Sequence, residues 1–251
     1  MRILAIHAHP DDIEILAAGS LASLAACGHE IVMASMTPGD CGSKQHPPEE
    51  IAEIRRGEAA RSAAIIGARY LWAGFYDLAI FNDDPSRRKT TELLREIQPE
   101  IVITAAPSDY HCDHEATSLL VRDACFAAPA PNYLCGQAAP LPGIPHLYFM
   151  DAIEGVDREG RPLAPDFIVD VGSVFDVKKR MLACHESQRQ WLREHHGMDN
   201  YLESMEAWTR ERGIAAGVVY GEGFRRYRGH PYPQNEVLGE LLRAVEPARA
   251  K

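Results

Sequence analysis

The opening two dozen residues constrain this chain most, because an apolar run, Arg2-Ile3-Leu4-Ala5-Ile6, gives way within a few residues to Ile13, Leu16, Ala17, Leu21 and Leu24. The first pattern is that of a buried strand; the second repeats at helical spacing. Strand-like runs recur near residues 31–35, 70–72, 101–105, 147–149 and 167–171, with helical patterns between many of them. That alternation predicts an α/β fold: a Rossmann-like, mostly parallel sheet flanked by helices on both faces. No linker-like or low-complexity stretch interrupts the 251 residues, of which 46% are hydrophobic, so residues 1–251 are expected to form a single domain. The more polar segment beyond about residue 198 is expected to hold a helix near Tyr201–Arg212, covering one edge of the site, and a final helix over Asn235–Val245.

Composition excludes several functions. A formal charge of −10 argues against a broad nucleic-acid surface, which needs clustered positive charge, and the group Arg225, Arg226 and Arg228 is too short to reverse this. No apolar run approaches the ~18 residues of a membrane span, and Met1-Arg2 leads directly into a core strand rather than a signal peptide, so the protein is expected to be cytoplasmic. Cys27, Cys41, Cys112, Cys125, Cys135 and Cys184 lack CxxC spacing, which indicates reduced thiols rather than a disulfide framework or a zinc knuckle.

The chemistry concentrates in the turn after the first strand, His7-Ala8-His9-Pro10-Asp11-Asp12-Ile13-Glu14. In an open α/β sheet, ligands sit beyond the carboxyl ends of the strands, and a helix N-terminus favours ionised carboxylates. His9 and Asp12 suit zinc, but two protein ligands do not hold it. The best third donor lies in Pro107-Ser108-Asp109-Tyr110-His111-Cys112-Asp113-His114, which has the same context, after the run 101–105 and before a helix-like run from Glu115 to about Ala128. If the two strands are neighbours, both loops open onto one crevice. His114 then completes a His-Asp-His triplet with a fourth position left for water.

These two runs resemble those of the PIG-L/LmbE-like zinc deacetylases, whose hallmarks are an A-H-P-D-D-x-E-like run and an H-x-D-H run. Thr37-Pro38-Gly39-Asp40, Arg55 with Glu58, Asp77, Val169-Asp170-Val171, His185-Glu186-Ser187-Gln188 and Tyr220-Gly221-Glu222-Gly223-Phe224 also look family-like and occur in the right order. The resemblance implies His9, Asp12 and His114 as zinc ligands, Asp11 as general base and then acid, and His111 as stabiliser of the oxyanion. It also implies a small N-acetylated substrate and assembly as a trimer or hexamer. One departure is Cys112, where the family commonly has proline; a small residue filling the proline position and direct ligation are both open.

Ordinary roles compete with each assignment. Asp11 or Asp12 can cap the helix, and His111 and His114 can be surface residues of a polar loop. Asp113 reads as the carboxylate that orients a ligand imidazole. His7 reads as packed or hydrogen-bonded. Asp40, Arg55 and Asp77 are candidate substrate contacts: Asp40 for a sugar hydroxyl, Arg55 reaching substrate or forming an exposed ion pair with Glu58, and Asp77 binding a hydroxyl or bracing its loop. Residues 41–48 have the composition of a lid or of a solvated connection. His185 and Gln188 share a helix face and stay outside the catalytic set.

The resulting expectation is zinc-dependent de-N-acetylation of an N-acetylglucosamine-type sugar or conjugate. The alternatives are an amidase acting on a non-sugar amide and a catalytically silent sugar-binding protein.

Overall fold

The computed structural model describes residues 1–196 and 200–245. In chain order its main elements are β1 (Arg2–His7), α1 (Asp12–Ala26), β2 (Glu30–Ser35), α2 (Pro48–Ile65), β3 (Arg69–Trp72), α3 (Asp84–Ile97), β4 (Ile101–Thr104), α4 (Cys112–Ala127), β5 (His146–Met150), β6 (Phe167–Asp170), α5 (Phe175–Leu182), α6 (Glu186–His196), α7 (Tyr201–Ile214), β7 (Gly221–Arg226) and α8 (Leu238–Leu242). The strands form one seven-stranded sheet in the order β3-β2-β1-β4-β5-β7-β6. β7 runs antiparallel between β5 and β6, and the other pairings are parallel.

Because side chains alternate across a strand, each apolar run feeds two cores. Ile3 and Ala5 of β1 join Ile31, Ile103 and the α1 residues Leu16 and Leu21 on one face. Leu4 and Ile6 join Val32, Val102, Leu94 of α3 and Leu120 of α4 on the other. Both faces are covered, which is why these strands read as continuous apolar runs.

β1 is central and pairs with both β2 and β4, so that Ile6 lies beside Ala34 on one side and Thr104 on the other. The chain winds outward from β1 to β3 and then returns to place β4 on the opposite flank of β1. At that reversal the loops after β1 and β4 leave towards opposite faces, opening a crevice at the carboxyl ends of the strands.

The structure adds one strand to the expected set and corrects the bounds of two helices. The Tyr220–Phe224 stretch belongs largely to a seventh strand, hidden from pattern reading by two glycines and by Glu222. The helix after β4 begins at Cys112 rather than Glu115, because His111 Nδ1 accepts the Asp113 N–H at 3.1 Å and caps it within the motif. The last helix spans Leu238–Leu242 instead of Asn235–Val245. Glu236 is occupied by the Tyr148 hydroxyl and the Gly239 amide, Arg243 turns left-handed at φ 51°, and Val245 pairs with Ile168.

Glu222 is buried in the sheet with complete compensation. Its carboxylate accepts from the Gly19 and Ser20 amides of α1 at 2.9 and 2.7 Å, and Lys178 Nζ of α5 lies 2.6 Å from Oε1. The same ammonium donates to the Ile15 carbonyl at 2.7 Å, so the ion pair is spliced into the α1 ladder. Gly19 permits the approach, since a Cβ there would lie 2.7 Å from Val171 Cβ. Removing the ammonium would strand a buried carboxylate. Lys178→Met is therefore expected to cost about 3–5 kcal/mol of stability, read as a lower urea midpoint at constant slope. An unmoved midpoint would show that the amides alone satisfy Glu222.

All six cysteines are free. Among the described residues, no helix is long and apolar enough to cross a membrane.

Candidate metal centre and active-site cavity

The turn after β1 brings His9 Nδ1 to 3.3 Å from Asp12 Oδ2, and the first turn of α4 brings His114 Nε2 to 3.4 Å from that oxygen and 3.3 Å from His9 Nδ1. Ligand atoms about 2.0 Å from a tetrahedral ion stand about 3.3 Å apart, so this triangle has the size of one face of a zinc coordination shell. The donor set, two imidazoles and one carboxylate, also suits zinc.

Each imidazole of the triangle has a carboxylate on its other nitrogen. His9 Nε2 lies 3.2 Å from Asp113 Oδ2, and His114 Nδ1 lies 3.0 Å from Asp109 Oδ1. Such partners fix ring orientation and raise ligand basicity. His7 serves Asp12 in the same way. Burial holds its ring below the ordinary histidine range, hence neutral, and Nδ1–H donates to Asp12 Oδ2 at 2.7 Å.

The local field favours a cation. Burial alone would lower His9 and His114, but the surrounding carboxylates override it, raising His114 and taking His9 to about 10. Burial alone would raise Asp12, but His114, His7 and His9 hold it well below the usual carboxylate range. The field of the cage favours positive charge, the condition under which a metal can displace ring protons.

Asp11 stands beside the triangle without joining it. Its backbone is left-handed at φ 103°, a strained conformation for a residue with a side chain, and its carboxylate makes no capping bond to α1. Instead Oδ2 accepts from the Tyr201 hydroxyl, and Oδ1 lies 3.4 Å from Arg55 Nη2. Burial is the main cause that pushes the Asp11 carboxyl up, to about 6, against the pull of Arg55. His111 borders the same cavity, its ring stacked on His114 at 5.0 Å. Burial and the neighbouring imidazoles lower its pKa, and Nδ1 accepts a backbone N–H, so the neutral ring keeps Nε2–H as a donor.

The remaining candidates divide. Arg55 is buried, not exposed, and its guanidinium donates to the Pro10 carbonyl at 2.8 Å and the Gly39 carbonyl at 3.4 Å, clamping two loops. Gly39 has φ +75°, and a Cβ there would lie 2.2 Å from Arg55 Nη1, so that position requires glycine on both counts. Glu58 binds Ser187, not Arg55. Asp40 accepts from the Asp77 amide and Asp77 from the Cys41 amide, each at 2.9 Å, so the two carboxylates brace each other's loops. Asp40 does not border the cavity. Asp77 does, with Oδ1 buried 4.0 Å from His9 Nε2; neither this oxygen nor the buried Gln188 Oε1 has a hydrogen-bond partner among the described residues. Cys112 is exposed and lies outside the cavity lining. His185 is buried 3.1 Å from Glu14 and also lies outside it.

Two residues of the site went unassigned in the sequence reading. Asp109 was findable, because a buried ligand imidazole needs an acceptor for its second nitrogen. Tyr201 comes from α7 and carries no local signal. Together with Trp208 it closes a cavity of about 420 Å³, the size of a small-molecule site.

A model of the family described as PIG-L, GlcNAc-PI de-N-acetylase, matches residues 4–125. The 4-oxalmesaconate hydratase of Pseudomonas putida is 26% identical over 232 residues, covering 88% of this chain and 87% of that one. Diacetylchitobiose deacetylase of Thermococcus kodakarensis is 27% identical over 200 residues, covering 74% and 70%. The structure of N,N'-diacetylchitobiose deacetylase from Pyrococcus horikoshii matches with a TM-score of 0.76 at 26% identity, covering 92% of this chain and 86% of that one. The matched segment contains both loops of the His-Asp-His triangle and the likeness of fold runs through nearly the whole chain: this protein resembles the PIG-L/LmbE-like deacetylases in its first half by sequence and throughout by fold.

Proposed function

We propose that this protein is a zinc-dependent N-deacetylase that hydrolyses the acetamide of an N-acetylated sugar or sugar conjugate, with its 251 residues acting as one catalytic domain. The observation that carries the reading is the His9-Asp12-His114 triangle opening onto the cavity that also holds the uncapped carboxylate of Asp11. His9, Asp12 and His114 would hold zinc, which would supply Lewis-acid activation of the acetamide and a more acidic water near neutral pH.

Asp11 takes the proton of the attacking water and returns it to the departing amine, which gives the amine and acetate. Tyr201 and Arg55 hold its carboxylate in place for both transfers. His111 donates Nε2–H to the developing oxyanion, a contact that in such sites is worth about 10²–10³ in turnover. Asp113 and Asp109 fix the two ligand imidazoles, and Asp77 and Gln188 offer acceptors to substrate hydroxyl or N–H groups. The free cysteines are in keeping with a reducing, cytoplasmic compartment.

The Pseudomonas putida relative is named a hydratase, and adding water to a double bond also uses a base and an activated water. The test is therefore a zinc-loaded preparation offered N-acetylglucosamine glycosides, N-acetyl amino acids and an unsaturated carboxylate. Acetate release from the sugars is expected. Release from non-sugar amides alone would make it a different amidase, loss of alkene absorbance would make it a hydratase, and tight sugar binding without turnover would make it a silent binder.

A further inference from the structure

The mouth of the cavity contrasts with its floor. At the floor, imidazoles and carboxylates are largely engaged with one another. At the mouth, Leu78 is 61% and Tyr110 69% exposed, and both border the cavity together with Trp191 and Trp208. The loop carrying Leu78 also exposes Tyr76 and Phe81. Large apolar side chains gathered at the rim of a cavity mark an interaction surface, and at this rim the molecule that must pass them is the one entering the cavity.

Leu78 is the most telling of these. Its backbone is left-handed at φ 61°, a conformation that suits glycine, and its N–H donates at 2.8 Å to Asp113 Oδ2, the oxygen that also holds His9 Nε2. The backbone is thus tied to the metal centre, and a glycine would meet that demand without strain. The leucine side chain is held instead over the cavity, contributing little to the core.

We infer that the acetamido sugar carries an apolar aglycone, alkyl or aryl, that lies against Leu78 and Tyr110. This rests on the deacetylase reading. The polar floor sees the acetamide and its ring; the apolar rim sees the substituent beyond.

The test compares the methyl and octyl β-glycosides of N-acetylglucosamine, the latter kept below its micelle concentration, by acetate release. A fully buried methylene is worth up to about fourfold, so a chain partly covered by the rim is expected to raise kcat/KM by about tenfold, mainly through KM. In Leu78→Gly and Tyr110→Ser the octyl-to-methyl ratio is expected to fall towards one. Leu78→Gly is also expected to keep or raise the melting temperature, whereas a leucine needed for packing would lower it. Equal rates on both glycosides would overturn the inference and leave the deacetylase reading standing. A ratio unchanged in both variants would overturn the rim as its origin. A ratio near one, with variants that change the mass in solution, would make the patch a contact between copies of the chain. No acetate from either glycoside would remove the deacetylase reading and this inference with it.

Discussion

Asp11→Asn is expected to lower acetate release by about 10²–10⁴-fold while leaving the metal content unchanged. The substitution keeps shape and removes basicity. Asparagine tolerates the left-handed backbone of position 11 at least as well as aspartate, and no capping bond is lost, because the Asp11 side chain makes none. The His9-Asp12-His114 triangle does not include Asp11, so zinc should still bind. Metal stoichiometry by atomic absorption and acetate release on the same sample separate the two effects. An unaffected rate would remove Asp11 from the role of base, and lost metal would show that it supports the centre rather than the chemistry.

His114→Ala is expected to abolish tight zinc binding, an effect beyond the roughly 10–100-fold typical of losing a residue that merely orients a ligand. The change removes one corner of the triangle and strands Asp109, whose buried carboxylate otherwise lies 3.0 Å from the imidazole and accepts the His111 and Ile153 amides. Competition with a chromogenic chelator measures the loss. Retained affinity would point to the overlapping groups around His111 and Asp113, which also cluster closely enough to share an ion.

The two centre-forming loops were legible from local pattern because each follows an apolar strand and opens a helix, and a parallel sheet puts such loops on one edge. Their partners were legible only where a chemical demand existed nearby. Asp113, between His111 and His114, could be read as an imidazole acceptor; it proves to lie against His9, a residue of the other loop. Arg55 illustrates the opposite case. Three positions from Glu58 on a helix, it has the spacing of an exposed ion pair, yet both side chains are buried and face different partners. β7 escaped pattern reading because its charges are compensated from elsewhere in the chain, Glu222 by α1 and α5.

By itself the sequence determined the alternation of strands and helices, the layering of helices on both faces, and which side chains carry donor chemistry suited to a divalent cation, because strand period, helix period and donor chemistry are local properties. The tertiary structure alone decided that His9, Asp12 and His114 stand 3.3–3.4 Å apart, that Tyr201 reaches across the chain to Asp11, and that Leu78 and Tyr110 rim the cavity. Those distances are set by which strand pairs with which and by how α7 docks, and such long-range packing leaves no periodic trace in the residues that it joins.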